Sequence, residues 1–249
     1  MAPTVSIIIP AYNEEHRLPD TLTKILHFLE QQSYQAEILV IENGSQDRTA
    51  AIGREFAQQH PNLELHQEAR AGKGLAVRRG MLAARGAYRF ICDADLSMPI
   101  EQLNRFLPPK LDSYDIAIAS REAPGAQRYN EPAYRHWIGR IFNWIVRLIA
   151  LPGLQDTQCG FKCFRATVAE DLFQAQLLEG WTFDVEVLFL ARKRGYQIVE
   201  IPIDWYHIRG SRVHVLRDSI AMFTDLLRIR WKWMRGAYSS NVEETQKTA

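Results

Sequence analysis

The chain opens on an apolar run, VSIIIP at residues 5–10, in which polar and apolar positions do not alternate. Such a run fits a strand buried on both faces, as strands of a parallel sheet are. A helical period follows over residues 14–31, with Leu18, Leu22, Ile25, Leu26 and Leu29 on one face, and residues 38–41 return to a short apolar run. The same reading predicts helices at 47–59, 72–84 and 100–111 and strands at 62–66, 87–93 and 115–119. This alternation predicts an α/β fold: right-handed βαβ units around a mostly parallel sheet flanked by helices.

After Ser120 the rhythm changes. Residues 121–130 read as a mobile polar loop, 134–151 as a long helix, and 156–164 as a strand returning to the sheet. A helix at 183–194, a strand at 197–201 and a final amphipathic helix at 214–235 complete the pattern, and 239–249 reads as a disordered polar tail. No repeat or low-complexity linker cuts the chain, so 1–238 reads as one domain.

With 249 residues, 47% of them apolar, the chain can bury a large core, and a net charge of +1 excludes a general polyanion binder. Charge is nevertheless uneven: residues 207–236 hold seven Lys/Arg against two Asp. Cys92, Cys159 and Cys163 form neither a CxxC nor a zinc spacing, and the histidines, among them His16, His60 and His136, form no ligand pair. Reduced thiols, a cytoplasmic location and no zinc are expected, and no nucleic-acid module is recognisable. The start MAPTVSIIIP does not read as a signal peptide. The most apolar stretch, 137–151, contains Arg140 and Arg147 and is too short to span a bilayer, so any membrane contact is expected to be peripheral.

The chemistry concentrates at predicted strand ends. Phe90 to Ser97, FICDADLS, ends a buried strand in Asp93 and Asp95. Ligands of open α/β sheets bind beyond the carboxyl ends of the strands. Two acids there suit Mg²⁺ or Mn²⁺ holding a substrate diphosphate; the alternative is an ordinary Asp-containing turn. After the first strand, PAYNEE places Tyr12 against a base and Glu14 on a ribose or base edge, with Asn13 as a helix cap and Pro10 ending the strand's pairing. After the second, Glu42 can accept from a nucleobase, Gly44 suits a tight turn, and Ser45 or Asp47 a cap. In RAGKG, Lys73 either contacts a diphosphate at a helix N-terminus, or Gly72 and Gly74 allow a tight helix entry. The last helix carries Leu216, Ile220, Phe223, Leu227 and Trp231 on one stripe and ends RIRWKWMR, a mixture suited to a lipid headgroup interface. The stripe Trp137, Ile141, Trp144, Ile145 and Leu148 offers a second contact.

VSIIIPAYNEE, ILVIENGSQDRT, GKGLAVRRGM and FICDADLSMP, in this order, resemble family 2 glycosyltransferases of the GT-A fold. DTQCGFKCF, GWTFDVEVLFLARKRGYQIVEIPIDW and GSRVHVLRDS narrow the resemblance to the branch making polyprenyl-phosphate sugars, most of all dolichyl-phosphate β-glucosyltransferases. It covers roughly residues 4–232. The family usually has two aspartates where this chain has Glu42 and Asn43, and the mannosyl branch commonly has Gln at the position of Ser97.

The resemblance implies a nucleotide-binding half over about 1–120 and an acceptor half over about 121–238. It implies inverting transfer of glucose from UDP-glucose to a polyprenyl phosphate, with mannosyl transfer from GDP-mannose or a non-catalytic nucleotide-sugar-binding subunit as alternatives. Pro10, Tyr12, Asn13, Glu14, Glu42, Lys73, Asp93 and Ala94 would then bind the nucleotide sugar. Asp93 and Asp95 would hold Mg²⁺ or Mn²⁺, and Asp95, Asp156 and Asp184 would be catalytic. Arg121, Lys162, Trp181, Arg209, Ser211 and Arg212 would meet the acceptor and its phosphate, and Glu186 would support its neighbours.

Overall fold

In the computed structural model, residues 2–208 and 215–238 are described. Strands β1 (Val5–Ala11), β2 (Ala36–Asn43), β3 (Leu63–Glu68), β4 (Tyr88–Ile91), β5 (Ile116–Ser120), β7 (Lys162–Arg165) and β8 (Ile198–Pro202) form one seven-stranded sheet in the order β3-β2-β1-β4-β7-β5-β8. β7 is antiparallel to both its neighbours, and the other pairings are parallel. A ribbon of β6 (Gln127–Tyr129) and β9 (Asp204–Tyr206) stands apart from it.

The period of two along buried strands assigns side chains to two layers. Ile7 and Ile9 of β1 with Ile38 and Val40 of β2 face α1 (Leu18–Glu30), α2 (Thr49–Gln59) and a 3-10 segment at Ile100–Phe106. Ile8, Leu39 and Ile41 face α3 (Lys73–Ala83), α5 (Ala166–Ala175), α6 (Phe183–Lys193) and parts of α4 (Ala133–Ile149) and α7 (Val215–Met234). Each such buried aliphatic side chain contributes about 1.5–3 kcal/mol of transfer free energy.

Several local expectations are corrected. Pro10 does not end pairing: it sits within β1 opposite Ile41, because a proline lacks only the N–H and its carbonyl still joins the ladder. α1 starts at Leu18 rather than 14, and residue 13 has a positive φ of 52°, so Asn13 caps no helix. The segment after Pro99 is 3-10, not α. Only 162–165 of the strand expected at 156–164 pairs, and α5 follows it unanticipated. The loop expected at 121–130 contains β6, whose partner β9 lies far along the chain and leaves no local periodicity. The expected tail, 239–249, lies outside the described residues.

Candidate functional site

The carboxyl ends of β1, β2 and β4 lie side by side, and hydrogen bonds knit their loops. Asn13 donates its backbone N–H to Ser45 Oγ at 2.9 Å and accepts from the Gln46 N–H at 2.8 Å. The Glu14 N–H donates to Thr49 Oγ1 at 2.7 Å, while the Glu14 carboxylate pairs with Arg17 at 2.6 Å. Gly44, at φ 80°, makes the expected turn, and Asp47 receives the Thr49 N–H at 2.9 Å at the start of α2. Glu42 is buried, with Oε1 bound by the Ser45 N–H and Oε2 by Gln67 at 3.4 Å, so it organises its own turn. The Asn43 Oδ1 beside it is buried with no protein partner. Tyr12 is exposed at the β1 exit.

Beyond β4 the chain turns sharply. Leu96 has a φ of 47°, a strained value for a side-chain-bearing residue, and its N–H donates to Asp93 O at 3.2 Å. The Ser97 N–H caps Asp95 Oδ1 at 3.0 Å, and Thr21 Oγ1 holds Ala94 O at 2.7 Å. Lys73 Nζ reaches Asp93 Oδ1 at 2.6 Å and sits 5.2 Å from the centre of the half-exposed Trp181 ring. Burial, and then the neighbouring Asp93 charge, push the Asp95 carboxyl above its ordinary value. Burial alone would lower the Lys73 ammonium, but Asp93, Asp184 and Asp95 outweigh it and keep the lysine charged.

Gly160 was not anticipated. A Cβ there would lie 1.6 Å from Asp93 Oδ2, so only glycine leaves room for that carboxylate. Gly74 and Gly72 turn out to serve packing: a Cβ on Gly74 would meet Leu178 O and Phe183 Cβ at 2.7 Å, and one on Gly72 would meet Glu179 O at 2.8 Å. The Leu75 N–H at the start of α3 is already given to Glu179 O at 3.2 Å. Of the two readings of RAGKG, the tight helix entry accounts for Gly72 and Gly74, which pack against the 178–180 backbone, while the Lys73 side chain reaches Asp93.

Further along, predicted site residues pair with one another. Arg121 grips Asp156 through Nε at 2.7 Å, Nη2 at 2.9 Å and its own N–H at 3.0 Å. Burial works against Asp156 ionising, but Arg121 holds its pKa at about 2. Glu200 accepts the Asp156 and Gln155 N–H groups, fixing the loop. Lys162 is fully buried, 2.9 Å from Asp184 and donating to Cys159 O. In the structure Asp156, expected to be catalytic, has its oxygens occupied by Arg121, and Lys162, expected at the acceptor phosphate, is sealed against Asp184. An ion removed from water must be paired, and the nearest opposite charge is another site residue. Burial raises the Asp184 carboxyl despite Lys162 and Lys73. Glu186 receives the Leu177 and Leu178 N–H groups and the Tyr238 hydroxyl, supporting the segment that carries Trp181.

The β6–β9 ribbon touches the acidic turn directly: the Tyr206 N–H donates to Ser97 O at 2.7 Å, and the Tyr129 and Tyr206 rings stack at 4.5 Å. Arg121 lies 5.4 Å from the Trp205 ring centre. Arg209, Ser211 and Arg212 lie outside the described residues.

On α4, Trp137, Trp144 and Leu148 are exposed, and their spacing of seven and four places them on one stripe opposite the buried Val146. On α7, Phe223, Leu227, Trp231 and Met234 are exposed while Leu226 and Ile229 are buried. Trp233 is packed edge-on against Phe189 at 5.9 Å, so it belongs to the core rather than to an outer stripe. The side chains of Ile141, Leu216 and Ile220 lie outside the described ones. No helix among the described residues is long and apolar enough to cross a membrane.

The description of glycosyl transferase family 2 matches residues 6–173. A dolichyl-phosphate beta-glucosyltransferase of Dictyostelium discoideum is 34% identical over 250 residues, covering 94% of this chain and 76% of that protein. That of Saccharomyces cerevisiae is 32% identical over 261 residues, covering 95% and 77%. Among solved structures, mannosyl-3-phosphoglycerate synthase from Rubrobacter xylanophilus superposes with a TM-score of 0.67 at 17% identity, over 96% of this chain and 76% of that one. Glucosyl-3-phosphoglycerate synthase from Mycobacterium tuberculosis, in complex with Mn²⁺, UDP-glucose and phosphoglyceric acid, gives 0.65 at 18% identity, over 91% and 79%. At these identities the two structures speak to the fold alone.

Proposed function

The chain belongs to glycosyl transferase family 2, with a GT-A-like fold and glycosyltransferase activity, and on that premise we propose that it moves glucose from UDP-glucose to a polyprenyl phosphate of the dolichyl type. The observation that carries this reading is the strained turn at the tip of β4, where Asp93 and Asp95 share a half-buried mouth with Lys73. The names of the relatives support the sugar and the lipid acceptor.

The residues present fit Mg²⁺ or Mn²⁺. Among the described residues no three His, Cys, Asp or Glu gather as a closed metal cage. Two carboxylates at an open mouth suit instead a hard cation whose remaining positions go to diphosphate oxygens and water. Asp93 and Asp95 would hold it, and when bound it would supply charge neutralisation to the departing diphosphate.

The loops of Pro10, Tyr12, Asn13, Glu14 and Glu42, with Ala94, form the nucleoside side of the site in this proposal, within a nucleotide-binding half over about 1–120. Lys73 meets the diphosphate. The acceptor half, about 121–238, brings the lipid phosphate to Arg121, Arg209, Ser211 and Arg212, with Trp181 and Asp184 bordering the sugar. An acceptor phosphate is already anionic, so its oxygen attacks the anomeric carbon without a strong general base, and orientation carries most of the rate. The bond from that carbon to the UDP oxygen breaks as the new one forms on the opposite face. The α-linked donor thus gives a β-linked product.

The lipid acceptor requires a membrane surface. The outward Trp137, Trp144 and Leu148 of α4 and Leu227 and Trp231 of α7, near Arg140, Arg147, Arg228 and Arg235, suit peripheral contact with the cytoplasmic face of an anionic bilayer. The test is transfer of labelled sugar from UDP-glucose and GDP-mannose, side by side, to a short polyprenyl phosphate with Mg²⁺ or Mn²⁺. Chloroform-soluble β-glucosyl lipid from UDP-glucose is expected. Transfer from GDP-mannose alone overturns the donor, and no transfer from either, with nucleotide still bound, overturns catalysis.

A further inference from the structure

The site holds two lysine–aspartate pairs of different character. Lys162–Asp184 is sealed, with side chains 1% and 7% exposed, whereas Lys73–Asp93 stands at the mouth, 18% and 24% exposed. Opening the first would strand a charge in the interior; opening the second leaves both partners at a partly solvated mouth. We propose that Lys73 is a displaceable counter-ion: its ammonium neutralises Asp93 until a metal-bound diphosphate arrives, then moves onto the diphosphate, so that metal and nucleotide bind as a coupled pair. This rests on Asp93 and Asp95 being the metal ligands of the reading above.

The geometry indicates which partner moves. Asp93 Oδ2 is lodged against Gly160, where even a methyl group would collide, while Oδ1 takes the Lys73 ammonium. The backbone just after Lys73 is pinned, by the Leu75 N–H to Glu179 O at 3.2 Å and by Gln176 Nε2 to Gly74 O at 2.9 Å. Motion is left to the four-carbon stem of the lysine, a flexible carrier of a compact charge. The Trp181 ring, 5.2 Å away, offers the ammonium a π-face along its path.

Charge balance explains the coupling. Asp93, Asp95 and Asp184 face Lys73, and Lys162 is paired with Asp184. A divalent cation arriving alone competes with Lys73 for Asp93 and is repelled by its ammonium. A cation arriving with a diphosphate supplies the anion that Lys73 then needs. Each ligand therefore raises the affinity for the other, by reciprocity.

The test is a titration of the full chain with Mn²⁺, followed by the electron paramagnetic resonance of the free ion, alone and with UDP. For the wild type, weak binding of Mn²⁺ alone and about tenfold tightening by UDP are expected, within the usual range of coupling. Lys73→Met should bind Mn²⁺ alone about tenfold tighter than wild type and lose most of the UDP effect. Lys73→Arg, which keeps the cation, should retain the wild-type pattern. Equal or weaker binding of Mn²⁺ alone by Lys73→Met, or a Lys73→Arg pattern matching Lys73→Met, overturns the inference while leaving the proposed function standing. A wild type that binds no Mn²⁺ even with UDP overturns the metal reading and this inference together.

Discussion

The turns after β2 and β4 hold several acids differently from the loops of the second half. In the first half, acids sit on turns after neighbouring parallel strands and are met by backbone N–H groups: Ser45 for Glu42, Thr49 for Asp47 and Ser97 for Asp95. In the second half, acids and bases from distant segments cancel one another, as in Arg121–Asp156 and Lys162–Asp184. The first arrangement keeps carboxylates at an open mouth where a ligand can use them. The second sets charges against one another as they build the wall of the site. A charged side chain in a motif can thus be held by local backbone, as Asp95 is, or by another motif residue, as Asp93 and Asp184 are, and the exposure of the pair separates the mouth from the wall.

The sharpest way to break this contrast lies at the acidic turn. Asp95→Asn should lower metal-dependent transfer by about 10³-fold, the scale of losing a well-placed electrostatic stabiliser. It should also raise the melting temperature, because burial and Asp93 already oppose the charge on Asp95. Loss of both activity and stability would mean that Asp95 is a wall residue like Asp156.

Next in size, Lys162→Met should destabilise by about 3–5 kcal/mol, since Asp184 is left buried and unpaired. Adding Asp184→Asn should recover a good part of that in denaturant titrations. Additive losses would show that the two side chains do not act as a pair.

The outer helices give a smaller pair of effects. Trp233→Ala should cost about 2–3 kcal/mol, at or below the low end of a core aromatic truncation, because its ring packs on Phe189 but is only partly buried. Trp144→Ala with Trp231→Ala should change stability by less than about 0.5 kcal/mol each. Sedimentation with anionic vesicles should fall for that double variant, and unchanged sedimentation would remove the membrane role from α4 and α7.

The acid limb tests the same contrast through pH. Asp156 has a depressed pKa of about 2 when folded, below an unfolded value near 3.9. The stability from its pairing is therefore complete above about pH 4 and is lost as pH falls toward 2. The raised Asp95 has the opposite sign, and its protonation favours the folded state as pH falls through its folded value. Asp156→Asn should flatten acid unfolding between about pH 4 and 2, whereas Asp95→Asn should not.

Strands β1, β2 and β4 could be read in the sequence because each is apolar on both faces and ends in a polar turn, a pattern contained within ten residues. The acidic pair was readable for the same reason. Gly160, Glu200 and the β6–β9 ribbon were not. The need for a glycine at 160 arises only when Asp93 folds against it, and Glu200 acquires its role from two N–H groups more than forty residues away. Trp231 and Trp233 look alike in RIRWKWMR, and only the packing of α6 separates the exposed one from the partly buried one.

The amino-acid order by itself determined the alternation of strand and helix, the site at the strand tips and the acids placed there, since these follow from local periodicity and from where a buried strand must meet solvent. The tertiary structure alone decided which charges stay available. Burial forces every enclosed ion to find an opposite one, and the identity of that partner depends on distances between segments that only folding brings together.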